Sequence, residues 1–246
     1  MKKYFLVMGL LFLVSIARAQ VLISILLGDK LNTGKIEFGL EGGMNWSTLH
    51  GLSEAKKLSS FNLGFYFDIK LKKAPWMINT GVIVKSSMGA DGLSVYSLGD
   101  QGLDSSFIGG EVARKISYFN VPIMIKYLFK NNIYLKGGIQ LGLRYNAFDK
   151  FTNSIQDEED LEYKLKIKQQ FHPLDAGLTA GVGYRLRKGN GMNIGLQYYL
   201  GLVDVVIDDL SPKQFNRVIY LTGAIPIGVK KSKKMNEDSS PSSPPQ

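Results

Sequence analysis

From Ile36 onward the chain alternates apolar and polar residues with a period of two, the pattern of strands with two unlike faces rather than of helices. Residues 119–129 set Phe119, Val121, Ile123, Ile125, Tyr127 and Phe129 against Asn120, Pro122, Met124, Lys126 and Leu128. The next segment repeats the scheme, with Ile133, Leu135, Ile139, Leu141, Leu143 and Tyr145 opposing Tyr134, Lys136, Gly138, Gln140, Gly142 and Arg144. The pattern predicts eight strands, at about residues 36–49, 61–71, 76–88, 119–129, 133–145, 174–186, 192–202 and 219–229. No charged residue falls on the apolar face of any of them.

Alternation alone leaves open which face looks outward. A soluble barrel turns its apolar face in, and a membrane barrel turns it to lipid. Three features favour lipid. The polar face is rich in glycine (Gly39, Gly43, Gly64, Gly81, Gly138, Gly177 and Gly181 among others), which suits a narrow interior that cannot hold large side chains everywhere. Aromatic residues stand near strand ends on the apolar face, at Trp46, Phe61, Trp76, Phe119, Phe129, Tyr145 and Tyr184. The strands are also longer than the ~5–6 residues usual in soluble sheets.

The connections supply a separate argument. Short links (72–75, 130–132, 187–191) alternate with long ones (50–60, 89–115, 147–173, 203–216). The expected fold is therefore all-β: an eight-stranded antiparallel up-and-down transmembrane β-barrel with short periplasmic turns, longer extracellular loops and both termini in the periplasm.

Composition refines the setting. Lys2 and Lys3, an apolar run and Ala17-Arg18-Ala19 read as a secretory signal peptide over 1–19. An uncleaved anchor is the alternative, since 21–27 continues the apolar character. Cleavage would lower the net charge from +9 to +6. Export argues against nucleic acid as a partner and points to outer-membrane lipid, lipopolysaccharide and the outer-membrane assembly machinery. Residues 20–35 read as a periplasmic lead-in, 36–229 as the barrel and 230–246 as a disordered polar periplasmic tail. The absence of cysteine excludes a disulfide scaffold and thiol chemistry.

The chain resembles the small outer-membrane β-barrel proteins of the PorT-like group over about residues 36–229. The likeness rests on Phe38-Gly39-Leu40-Glu41-Gly42-Gly43-Met44-Asn45, Tyr118-Phe119-Asn120-Val121-Pro122, Gly137-Gly138-Ile139-Gln140-Leu141-Gly142, Ala176-Gly177-Leu178-Thr179-Ala180-Gly181 and Tyr198-Tyr199-Leu200-Gly201-Leu202. The resemblance implies the barrel architecture, with an accessory role in protein secretion or envelope assembly as its sharpest functional form.

For chemistry, the polar face collects Glu37, Glu41, Asp68 and Asp175 with Lys70, Lys85, Lys126, Lys136, Arg144 and Arg185. An ion-pair network filling the lumen is the leading expectation, because buried charges are paired. A narrow anion-preferring path is the alternative, since six cations face four anions. His50 and His172 are the only histidines, His172 standing near Asp175 at a strand mouth. No catalytic motif accompanies them, so neither enzyme activity, a metal site nor a cofactor is expected. The acidic stretch Asp157-Glu158-Glu159-Asp160 with Glu162, followed by Lys164, Lys166 and Lys168, reads as a solvated hairpin, with divalent-cation binding as a weaker option. The glycine-rich link 89–115 is expected to be flexible and without regular structure.

Overall fold

The computed structural model describes residues 35–52, 55–72, 75–153, 161–186, 191–208 and 212–227. The signal segment 1–19, nearly all of the lead-in, the acidic residues 157–160, most of the link 187–191 and the tail 230–246 lie outside the described residues.

Ten strands form one sheet: β1 (Ile36–His50), β2 (Leu58–Lys70), β3 (Trp76–Lys85), β4 (Ser87–Ser94), β5 (Glu111–Leu128), β6 (Ile133–Asn153), β7 (Leu161–Lys166), β8 (Leu174–Arg185), β9 (Asn193–Gly201) and β10 (Phe215–Pro226). A short helix, α1 (Gln101–Ser106), lies between β4 and β5. Eight strands close a ring in the order β1, β2, β3, β5, β6, β8, β9, β10 and back to β1, and every pairing is antiparallel. The predicted barrel is this ring.

The other two strands prolong the wall. β4 continues β3 along β5, pairing Ser87 with Ser117 and Ser94 with Glu111. β7 precedes β8 along β6, pairing Phe148 with Lys166 and Asn153 with Leu161. The link 89–115 is therefore not irregular. It holds β4, α1 and the start of β5. Asp100 caps α1, its carboxylate accepting the Gly102 and Leu103 amides at 2.8 and 3.1 Å. The link 147–173 likewise contains the end of β6 and all of β7.

Burial runs inside out. On β6, outward Leu135, Ile139, Leu141 and Leu143 are 44–52% exposed, whereas inward Lys136 and Gln140 are 7% and 0% exposed. Water on that outer wall would leave large apolar side chains unburied at about 25 cal/mol for each Å². Hydrocarbon removes that cost, and the closed ring leaves no unpaired strand edge in it. From Ile133 to Tyr145 the band covers about 40 Å of strand, enough for a tilted crossing. Aromatic contacts border it, Trp76 on Tyr127 at 4.7 Å toward the short turns and Phe119 on Tyr145 at 4.6 Å toward the long loops.

Two bulges at the long-loop end change the sides. In β3, Leu63 pairs with Lys85 but Gly64 with Ile83, so Val84 is an extra residue. In β6, Ser117 pairs with Asn146 but Tyr118 with Arg144, so Tyr145 is extra. Each bulge shifts the side-chain phase by one position. Odd residues of β6 face lipid up to Tyr145, and then Ala147, Asp149 and Phe151 turn fully inward. Lys85, expected in the lumen, is turned out of it by the same device and stands exposed, its Nζ 6.0 Å from the Phe61 ring centre.

Candidate functional site

The lumen is the place where polar chemistry converges, and its contents change with height. At the short-turn end each carboxylate meets a partner from across the ring. Lys126 Nζ donates to Asp68 Oδ2 at 2.6 Å, and Asn79 Nδ2 donates to the other oxygen at 2.7 Å. Arg185 pairs with Glu37, which also accepts the Tyr66 hydroxyl at 3.2 Å. Lys136 approaches Glu41 at 3.9 Å. Tyr134 lies within 4.4 Å of the Lys126 ammonium through its ring. Glycine makes room for these rings: a Cβ at Gly183 or Gly195 would collide with Tyr134.

The remaining predicted residues are dispersed. Lys70 is exposed at the short-turn mouth. Arg144 lies at the opposite rim, its Nε donating to the His172 carbonyl at 3.1 Å. Asp175 is buried, and it accepts Asn216 Nδ2 at 2.8 Å. Three cations thus meet three carboxylates, and Asp175 is held by an uncharged donor. Of the six cations counted from the sequence, Lys70 and Lys85 stand exposed and Arg144 lies at the rim. His172 is exposed, with its backbone amide on the Val205 carbonyl at 2.8 Å, and His50 is exposed at the end of β1.

Above this tier the filling turns apolar. Leu49, Met88, Ile116, Ile167, Phe171, Val205 and Val218 form a buried cluster with Tyr118, Tyr199 and Tyr220. The segment after β9 folds over it, with Phe171 bridged to Val206 and the Ile207 amide on the Gln170 carbonyl at 3.0 Å. A second cluster of Phe107, Val112 and Phe151 lies beneath α1. Grooves on the surface, bordered by Trp76, Phe129 and Leu135 or by Ala180, Leu196 and Tyr198, lie on the outward wall rather than in the lumen.

Sequence reasoning missed the buried Arg114–Asp149 ion pair. Arg114 donates to both oxygens of Asp149, at 2.9 and 2.7 Å, and Tyr96 donates to Asp149 at 2.9 Å. The guanidinium also lies 5.4 Å from the Phe171 ring centre. Burial opposes the Arg114 charge, but the Asp149 hydrogen bonds and charge outweigh it and hold the guanidinium above its ordinary value. Burial, reinforced by the Asp149 charge, pushes the Tyr96 phenol up. The sequence signal was present in the alternation of Ala147, Asp149 and Phe151, which continues the strand past the predicted boundary. Among the described residues no group of His, Asp and Glu could hold a metal ion.

A closed antiparallel ring with a hydrocarbon-compatible wall and a filled polar lumen defines a transmembrane β-barrel. Residues 19–206 match the family described as outer membrane protein beta-barrel domain, and the chain belongs to that family, which places it in a bacterial outer membrane. No curated protein matches the chain. Among solved structures it is similar to Ail, the attachment invasion locus protein of Yersinia pestis, at 13% identity, covering 78% of this chain and 98% of that one with a TM-score of 0.40. It is similar also to Neisserial surface protein A at 8% identity, covering 76% and 96% with a TM-score of 0.39. A third similar structure is AlkL in lipid bilayers, at 10% identity, 79% and 92% coverage and a TM-score of 0.36.

Proposed function

We propose that this chain is a non-enzymatic, closed barrel that presents its prolonged long-loop wall as a rigid binding platform. In the sharpest form, taken from the PorT-like resemblance, that platform serves an accessory role in protein secretion or envelope assembly. The short turns and both termini face the periplasm, and β4, α1 and β7 face the exterior. The observation that carries the reading is the apolar cluster across the outer lumen, where Met88, Ile116 and Val218 are fully buried. Such a cluster gives ions no hydrated path, and α1 and β7 brace the wall above it. His172 is exposed and, among the described residues, is bound through its backbone, which supports a positional rather than a catalytic role.

Planar-bilayer recording on the refolded chain tests the closed lumen: no stable, reproducible channel is expected. Regular conductance steps would instead favour a narrow small-solute porin. That second reading has one observation of its own, the buried side chains Asn62, Asn120 and Gln140, which keep polar atoms without a partner among the described residues at mid-lumen. Crosslinking in the native envelope tests the accessory role, which requires a reproducible secretion or assembly protein captured through residues of β4–α1 or β7. Capture of lipid alone would count against it.

A further inference from the structure

The prolonged wall has an outward face as well as an inward one, and that face carries a concentration of lysines. The register arranges it in rows. Lys115 of β5 pairs with Phe148 of β6, which pairs with Lys166 of β7. One row further out, Ala113 pairs with Lys150, which pairs with Lys164. Side chains directly opposite across antiparallel strands stand on one face about 4.5–5.5 Å apart at Cβ, so Lys150 and Lys164 confront each other, a repulsion that the ion pair of Lys150 with Glu162 offsets in part. Glu162 is paired to Lys150, and Glu111 is taken by Lys56. Among the described residues no ion pair engages Lys115, Lys164 or Lys166.

Height decides what the anion is. The rows begin three residues beyond Tyr145, whose ring packs on Phe119 at the edge of the apolar band. Three residues of strand advance about 10 Å, and less along the membrane normal because barrel strands tilt. The headgroup zone on each side of the hydrocarbon is roughly 5–8 Å deep. A lysine can lay its methylenes along an apolar neighbour such as Phe148 and bring its ammonium back to that zone. The outward face of β5 and β6 is therefore continuous, from alkyl chains at Leu141 and Leu143 to cations at phosphate height.

We propose that Lys115, Lys164 and Lys166, with Phe148 between them, form a docking shelf for the phosphate groups of an anionic glycolipid in the outer leaflet. The inference rests on the orientation in the proposed function, in which the long-loop end faces outward. Its chemistry is the charge-assisted hydrogen bond from ammonium to phosphate oxygen, made where water is partly excluded.

The test uses the full chain folded in neutral detergent, titrated with mixed micelles carrying diphosphoryl lipid A, its dephosphorylated form, or no added lipid, with inorganic phosphate as a separate arm. The wild type is expected to bind the diphosphorylated lipid at least ten-fold more tightly than the dephosphorylated one, with affinity falling as salt rises. The triple variant Lys115→Gln, Lys164→Gln, Lys166→Gln should lose most of that preference. A control triple, Lys57→Gln, Lys72→Gln, Lys130→Gln, removes equal charge elsewhere and should keep it. Equal loss in both triples, no loss in the first, or equal binding of inorganic phosphate alone would overturn the shelf. Protease protection in proteoliposomes, measured on the same protein, reports orientation independently, so a wrong orientation is distinguished from a wrong shelf.

Discussion

The two halves of this barrel use opposite conventions for the same wall. In the short-turn half the outside is apolar and the inside polar: Leu135, Ile139 and Leu143 look out while Lys126, Lys136 and Gln140 are buried. In the long-loop half Lys115, Lys150, Lys164 and Lys166 look out, and Ile116, Ala147 and Phe151 are buried. The first convention is that of a membrane barrel and the second that of a soluble sheet. The switch occurs at one level, where the bulges at Val84 and Tyr145 sit. The solvent outside each half dictates the convention, because the outward face must match hydrocarbon in one place and water in the other. The lumen then takes whichever residues remain. That is why, among the described residues, it holds three ion pairs below, and above them a hydrocarbon cluster with the single buried pair Arg114–Asp149 beside it.

The largest test of this contrast falls on the lower half. Lys126→Met should leave the Asp68 carboxylate buried with only Asn79 beside it, and removal of one partner of a buried pair costs about 3–5 kcal/mol. Equilibrium urea unfolding from phospholipid vesicles measures it. Adding Asp68→Leu should recover most of the loss, since an apolar pair of similar volume is often as stable as the ions. A single-variant cost below ~1 kcal/mol would mean that water reaches the pair and that the lower lumen is open.

A smaller effect is expected in the upper half. Ile116→Ala removes a fully buried side chain from the apolar cluster, and such truncations cost about 2–5 kcal/mol, with the lower part of that range expected where neighbours can relax into the space. No charge is stranded, so no second substitution should be needed to explain the value. If that half is the seal, the same variant should raise the frequency of brief current events in planar bilayers, and Lys126→Met should not. The reverse assignment would place the seal among the ion pairs.

Much of this was legible in the sequence. The period of two named the faces of β5, β6, β8 and β9, and the alternation of short and long links named the ring. Lys126, Asp68, Glu37 and Arg185 could be placed inward by counting along each strand. The count failed for a physical reason at two points. The apolar odd series runs through 139, 141, 143 and 145 to Ala147 and is first broken at Asp149, four residues past the extra residue, so the pattern does not mark the point where the series turns from lipid to core. In β3 the same kind of shift carried Lys85 outward. Glycines 89 and 92 suggested a loose link, but they adopt positive φ within β4, where Gly92 falls inside the register shift between Ala90 and Leu93. A bulge is specified by pairing with a distant strand, and distant pairing is what a single sequence shows least.

The smallest expected effect lies furthest from the membrane, and it separates the loops that decorate the upper half from the sheet that builds it. Asp104 of α1 accepts the Ser97 hydroxyl at 2.6 Å and the Leu98 amide at 2.7 Å. These bonds, Ser97 first and then Leu98, hold its carboxyl below the usual range against a small opposing effect of burial. A depressed folded-state pKa contributes stability above the unfolded value of about 3.9, and that contribution is lost as pH falls through the folded value. The protection factor of the Leu98 amide, its exchange rate relative to the intrinsic rate at the same pH, should therefore fall as the medium is acidified below pH ~4, while those of β5 and β6 amides in the band hold. Asp104→Asn should quicken exchange at neutral pH and flatten the acid response. The side chain is exposed and water competes for both bonds, so the change stays local. If β5 amides opened together with Leu98, the link and the wall would be one cooperative unit, and the division between sheet and decoration would have to be redrawn.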